Sequence, residues 1–294
     1  MPETLSAWER VLLARNPARP HTQDYVADLI YGFVELHGDR RFGDDPALLG
    51  GIGTFRGRAV VVVGHRKGAN TQENLAHNFG MPRPEGYRKA LRLMQHAEKF
   101  GMPLIAFVDT PGAEPGIGSE ERGQAVAIAE NLLALASLRV PTLAVVIGEG
   151  GSGGALAISV ADRILMLENA IYAVASPEAC ATILWKDVSK APEAAATMRV
   201  TAADLYGFGI VDEVIPEPVP AHEQPTQTIQ RVGDALERHL SELEALVHDG
   251  DTGIDALLAA RYQKYRRIGR WVEETDPTRH PNGPVPSHAA DQAR

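Results

Sequence analysis

Three observations predict an α/β fold, with a sheet covered by helices. Short β-branched runs alternate with helix-length periodic segments through residues 103–215. The runs are apolar throughout rather than alternating, as strands buried on both faces are. Glycine-rich turns stand where the runs end, most densely in PTLAVVIGEGGSGGALA, residues 141–157. The 294 residues, 44% hydrophobic and 23% charged, are enough for a sizeable core.

Taken in order, residues 5–15 and 24–36 read as helices split by NPARP. Residues 49–55 and 59–65 read as a β-hairpin around a tight RGR turn. A polar loop follows at 68–84, then a helix to residue 100 with Gly101 and Pro103 as stop signals. Residues 103–109 are a strand and 110–119 a glycine-proline loop. Residues 120–139 are a helix with acids in its first turn and Arg139 in its last, as the helix dipole favours. A strand at 141–147, a short helix at 152–162 and strands at 163–168 and 170–175 come next. Ser176 and Pro177 open a helix to 185, and a helix at 201–209 precedes the last strand, 210–215.

After PEPVP the strands stop. Residues 224–248 and 254–271 read as long amphipathic helices, with Leu236, Leu240, Leu243 and Leu246 set to pack on the core or on another subunit. The basic cluster at 261–270 reads as a solvated helix face, with a ligand site as the alternative. The polar, proline-rich residues 274–294 read as a disordered tail. No internal repeat is visible.

A net charge of −9 argues against nucleic acid as the main partner. The single cysteine, Cys180, allows no internal disulfide, which suits a reducing compartment. It reads as a buried structural thiol. The N-terminus lacks the basic stretch and apolar core of a signal peptide, and no apolar run approaches membrane-spanning length. A cytoplasmic location is expected.

The glycine cluster fits several motifs. Gly148, Gly150 and Gly153 satisfy G-x-G-x-x-G, with Glu168 spaced as a ribose-binding acid. Gly150, Ser152 and Gly154 satisfy G-x-S-x-G, and Asp212 and His222 follow in the order of a hydrolase triad. The cluster also reads as a helix-start oxyanion site in which Gly153 and Gly154 supply N–H groups. A Walker-type loop is excluded, because no Gly-Lys pair exists, and the GTPase reading of Asp109-Thr110-Pro111-Gly112 falls with it. The dinucleotide reading suffers from a short helix, and the hydrolase reading from the flexible-looking stretch around His222. A second glycine corner, Asp109 to Ala113, ends the preceding strand, and the two corners are set to face one cleft. Asp109 reads as a cap for its loop and Glu114 and Glu149 as candidate acids, none with a histidine partner in sequence. That favours chemistry based on backbone dipoles, such as holding an enolate or ureido anion.

GHRKG (64–68), NFGMPRPEGYRKALRLM (78–94), DTPGAEPG, EERGQ, IGEGGSGGALA and SPEACATILWKD, in that order, resemble the carboxyltransferase alpha-subunit family of bacterial multi-subunit acetyl-CoA carboxylase. The likeness runs from about residue 21 to 218. It implies a crotonase-like (ClpP/crotonase) fold of spiralling ββα units with added N- and C-terminal helices. The implied division is a helical segment at 1–48, a carboxyltransferase domain at 49–220, C-terminal helices at 221–273 and the tail. The implied activity moves a carboxyl group from carboxybiotin, borne on a biotin carboxyl carrier protein, to acetyl-CoA, giving malonyl-CoA for fatty-acid synthesis. The implied partners are a carboxyltransferase beta subunit in an α2β2 assembly, the carrier protein and an ATP-consuming biotin carboxylase. No metal is expected in this chain. Its catalytic groups would be the Gly153 and Gly154 amides, holding the ureido oxygen while the ureido nitrogen acts as base. Gly112, Ala113, Gly150, Gly151 and Lys67 would contact substrate. Arg66 is open to a substrate or a surface role, whereas Arg88 and Lys89 fit a polar helix face. Glu114 stands where the family commonly has an aromatic residue, and Ala179 where it usually has glycine.

Overall fold

The computed structural model describes residues 5–249 and 251–269, so the expected tail lies outside the described residues. Helix α1 (Ala7–Ala14) starts at Ser6, which forms a capping box with Glu9. Helix α2 (Thr22–Leu29) runs straight into a strand, β1 (Ile30–Glu35), where apolar spacing predicts more helix. Those residues pair antiparallel with β2 (Leu48–Phe55), and Gly32, at φ 63°, sits in the irregularity between Tyr31 and Val34. The hairpin to β3 (Arg58–His65) forms as expected. Arg56 and Gly57 both take positive φ, 45° and 87°, as the tightest two-residue turns require.

The middle of the chain runs α3 (Thr71–Ala76), α4 (Pro84–Phe100), β4 (Leu104–Thr110), α5 (Ile117–Glu121) and α6 (Gln124–Ser137). It continues with β5 (Thr142–Gly151), α7 (Ser152–Leu156), β6 (Arg163–Leu167), β7 (Ile171–Ala173), α8 (Pro177–Trp185), α9 (Ala191–Met198), α10 (Ala202–Gly207) and β8 (Glu213–Ile215). The expected polar loop thus contains α3, a helix with no buried residue that Asn70 caps. The expected helix over 120–139 is broken at Gly123, whose φ of 83° is left-handed.

The sheet order is β1-β2-β3-β4-β5-β6-β8, with β7 paired to β5. From β3 to β8 the pairs are parallel, as covered strands joined by helices must be. Val61, Val62 and Val63 on β3, Ile105 and Phe107 on β4, and Val145 and Val146 on β5 are fully buried, each worth about 1.5–3 kcal/mol. β5 is the axis. Its first half pairs with β6, from Leu143 to Val146. Its glycine end pairs instead with β7, Gly150 opposite Tyr172 and Gly151 opposite Ala173. All ten residues of β5 are buried, so the strand continues through the glycine cluster rather than stopping at residue 147.

Helices α11 (Pro225–Val247) and α12 (Asp251–Arg266) close the fold. Leu236, Leu240 and Leu243 are buried in the core, while Leu246 is exposed. The basic cluster is not simply a solvated face. Arg261 is only 2% exposed. It grips Asp162 at 2.8 and 2.7 Å and donates to the carbonyls of Leu135, in the last turn of α6, and of Leu138 and Val140 beyond it. Lys264 pairs with Asp212, and Tyr265 Oη accepts from Ala161 N at 2.8 Å. Cys180 is half-buried on α8, not sealed in the core. Breaking the buried pair by Arg261→Ala should cost about 3–5 kcal/mol, read as a lower urea midpoint; a change under about 1 kcal/mol would show that α12 is not anchored this way.

Candidate active site

The two glycine corners meet. Thr110 at the end of β4 pairs with Gly150 in β5, which brings the loop after Thr110 against the start of α7. Ser152 turns the chain from strand to helix at φ 51°, a sparsely populated conformation for a residue with a Cβ. Gly153 and Gly154 follow at the second and third helical positions, where N–H groups have no partner within the helix. A Cβ on Gly154 would stand 2.5 Å from Ala113 N and 2.6 Å from Gly112 C, both backbone atoms. A Cβ on Gly151 would run into the Pro111 carbonyl. Gly153 is looser, with nothing nearer than Ile128 Cδ1 at 3.8 Å.

The loop settles which amides remain. Thr110 Oγ1 accepts from Gly112 N at 3.0 Å and donates to Gly112 O at 2.7 Å. Gly112, at φ 153°, therefore shapes the turn and spends its N–H within it. The loop's other amide, on Ala113, is the one beside Gly154. Gly150 and Gly151 are buried in β5, as Gly154 is in α7. Their lack of a side chain serves close packing, since a Cβ on Gly150 would meet Tyr172 Cδ2 at 2.7 Å.

Gly153 opens on an apolar cavity of about 600 Å³, with Leu156, Val174, Met198, Phe208 and Ile268 in its wall. The size and lining suit an organic ligand. No carboxylate or imidazole among the described residues lines it. Lys67 is elsewhere, in a polar cavity of about 230 Å³ with His21, Arg15 and Asn74. Its ammonium is engaged by Asp109 at 2.8 Å and Glu149 at 3.7 Å. Asp109 faces His21 Nδ1 at 3.2 Å, a partner 88 residues away that sequence order conceals. Burial pushes the Asp109 carboxyl up, but Lys67 and His21 outweigh it and hold it well below the usual carboxylate range.

His65 is the residue that sequence reasoning passed over. Its side chain is fully buried. Nδ1 accepts from Asp109 N at 3.3 Å, so Nε2 carries the proton and faces Gly154 O at 3.2 Å. Burial holds its pKa down at about 4. Tyr87 is the second omission: its buried hydroxyl has no partner among the described residues and lies 2.9 Å from where a Gly154 Cβ would be. Only the position of His65 at a strand end within GHRKG hinted at a role.

The family model described as acetyl co-enzyme A carboxylase carboxyltransferase-like matches residues 1–269. This chain belongs to that family. The acetyl-coenzyme A carboxylase carboxyl transferase subunit alpha of Aquifex aeolicus is 55% identical over 266 residues, 90% of this chain and 80% of that one. A Thermus thermophilus subunit of the same name is 52% identical over 272 residues, 92% and 85% of the two chains. In solved structures the fold resembles a transcarboxylase 12S hexamer with methylmalonyl-coenzyme A bound, at TM-score 0.62 and 22% identity, covering 78% of this chain and 43% of that one. A Pseudomonas malonate decarboxylase hetero-tetramer in complex with coenzyme A gives TM-score 0.59 at 22% identity, covering 77% and 90%. The crotonase-like fold expected from the resemblance is the one observed.

Membership in the carboxyltransferase family agrees with the fate of the rival motifs. Asp212 binds Lys264 and Ile164 N, and His222 sits beside Glu223, so neither forms a triad with Ser152. Glu168 is held by Arg10 and accepts from Glu217 N. The departures from the family pattern are also accommodated. Glu114 folds back to accept from Gly116 N in its own loop and from Ser119 Oγ on α5. Ala179 N donates to the Ser176 cap at 3.1 Å. Arg88 and Lys89 are structural, but as ion pairs to Asp39, Glu85 and Asp44 in which the Lys89 ammonium is buried, rather than as a polar face, and Arg66 pairs with Glu35.

A depressed folded-state pKa means that the contribution of neutral His65 is present above its ordinary 6.5 and lost as pH falls towards about 4. That acid-side loss amounts to roughly 3 kcal/mol. Urea titrations of wild type and His65→Gln across that window should differ by this amount, wild type showing the steeper loss. Parallel curves would mean that the imidazole does not titrate as described.

Proposed function

We propose that the first-turn amides of α7, on Gly153 and Gly154, with the Ala113 amide beside them, form the oxyanion site for carboxyl transfer to acetyl-CoA. The observation that carries this is the collision-close approach of Gly154 to the Ala113 loop. It brings donors from two corners around one point, at the positive end of a helix start. Such fixed dipoles stabilise charge that grows during a reaction without reorganising at that moment.

The residues present fit biotin. The site offers N–H donors for a ureido oxygen, and the apolar cavity next to Gly153 takes hydrocarbon. Bound carboxybiotin supplies the carboxyl group and, once that group has left, a basic ureido nitrogen. The chain then need not provide a base, which accords with a cavity wall free of carboxylate and imidazole among the described residues. Gly153 and Gly154 hold the oxygen, Gly112 keeps the loop turned, and Lys67 and Asp109 brace the strand ends rather than touch substrate.

In this reading the chain acts in the cytoplasm as the alpha half of an α2β2 carboxyltransferase. Its beta subunit completes the cleft, the biotin arrives on the carboxyl carrier protein, and biotin carboxylase recharges it. Support comes from exposed hydrophobic residues by the cavity and on the neighbouring helix: Val174, Ile183 and Leu184 are 80%, 67% and 60% exposed. Apolar area of this kind is what a subunit contact covers. No helix of the described residues is long and apolar enough to cross a membrane.

Gly154→Val should lower malonyl-CoA decarboxylation with free biotin by about 10²–10³-fold while the complex with the beta subunit still elutes intact. Unchanged turnover in an intact complex would refute the assignment of these amides.

A further inference from the structure

We propose that His65 is a positioning residue for carboxyl transfer: through the Gly154 carbonyl its imidazole fixes the direction in which the α7 amides point. The inference rests on the reading of those amides as the oxyanion site. It starts from how poorly α7 can hold itself. Five residues are far too few for a helix to be stable alone. The N–H that Gly154 O would receive in a longer helix, from Ile158, goes to Ala155 O at 3.3 Å instead. Nε2 of His65, reaching across from β3, takes that place.

The other ring nitrogen ties down the opposite corner. Nδ1 accepts from Asp109 N, immediately before the turn that carries Ala113. One rigid ring therefore spans both sources of donors and sets their separation. Its surroundings leave it no freedom. Thr22 Oγ1 donates to the His65 carbonyl at 2.5 Å. Asp109 is pinned by Lys67 Nζ at 2.8 Å and by Glu149 N at 3.0 Å. With no exposed surface, the imidazole acts on the reaction only through the backbone it holds.

Asparagine and glutamine separate the two links. The Gln side chain can put an N–H near the place of Nε2 and keep the bond to Gly154. The Asn side chain can put an oxygen near the place of Nδ1 and keep only the bond from Asp109. Each variant is assembled with the beta subunit and assayed by malonyl-CoA decarboxylation with free biotin. His65→Asn should lose about 100-fold in kcat, the scale of a misplacement near 1 Å, with KM for malonyl-CoA within about twofold and an intact complex. His65→Gln should stay within about fivefold of wild type, because it retains the contact that matters. The proposal fails if His65→Asn keeps its kcat, if His65→Gln falls as far, or if the loss appears in KM. Should the Asn variant not fold, His65→Gln decides alone: a folded complex with kcat down more than about fivefold overturns the assignment. A wild-type complex without activity would overturn the oxyanion reading and this inference together.

Discussion

Two backbone turns meet here at a distance that no side chain permits. The start of α7 lies so close to the loop after β4 that a single methyl group on Gly154 would strike Ala113 N and Gly112 C. Everything at the site follows from that approach. It brings amides from different strands to one place, and it is possible only because β5 carries glycine where β7 and the loop press on it. Glycine costs conformational entropy, and that cost is offset by the packing of the sheet on either side.

Such a corner needs bracing, since neither a five-residue helix nor a glycine loop is rigid by itself. Polar side chains supply it beneath the strand ends. Asp109 sits between Lys67 and His21 and accepts from Glu149 N, while His65 joins the two corners. Buried charge is tolerated there because each carboxylate is paired or hydrogen-bonded. Further out, Arg19 and Glu217 form another buried pair, and Arg19 also donates to Ile147 O on β5. The functional strand is thus held from the N-terminal segment as well as from its sheet neighbours.

Much of this was legible in the chain. The hairpin turn, the alternation of strands and helices and the first-turn glycines of α7 are local signals, and the elements they announce appear within a few residues of their expected places, whereas α9 is not announced by the sequence. The misreadings have physical causes. Residues 30–35 have spacing that suits either helix or strand, and edge pairing with β2 decides for strand. The end of β5 reads as loop because glycine has low strand propensity; pairing with β4 and β7 overrides it. α3 buries nothing, so no apolar stripe announces it. The bracing network was invisible for a different reason: His21 and Asp109, or His65 and Gly154, are brought together only by the completed sheet. Likewise Arg261 reads as part of a wetted basic face until α12 is docked over Asp162. The families of motif that fit the glycine cluster become separable only when the whereabouts of Asp212, His222 and Glu168 are known.

The most direct measurement is a crystal structure of this chain in complex with its beta subunit and biotin. The ureido oxygen should lie about 2.7–3.1 Å from the amide nitrogens of the α7 start, with Ala113 N at its side, if the oxyanion assignment is right. A ureido oxygen held by side chains alone, or seated beyond hydrogen-bond reach of both Gly153 and Gly154, would contradict it.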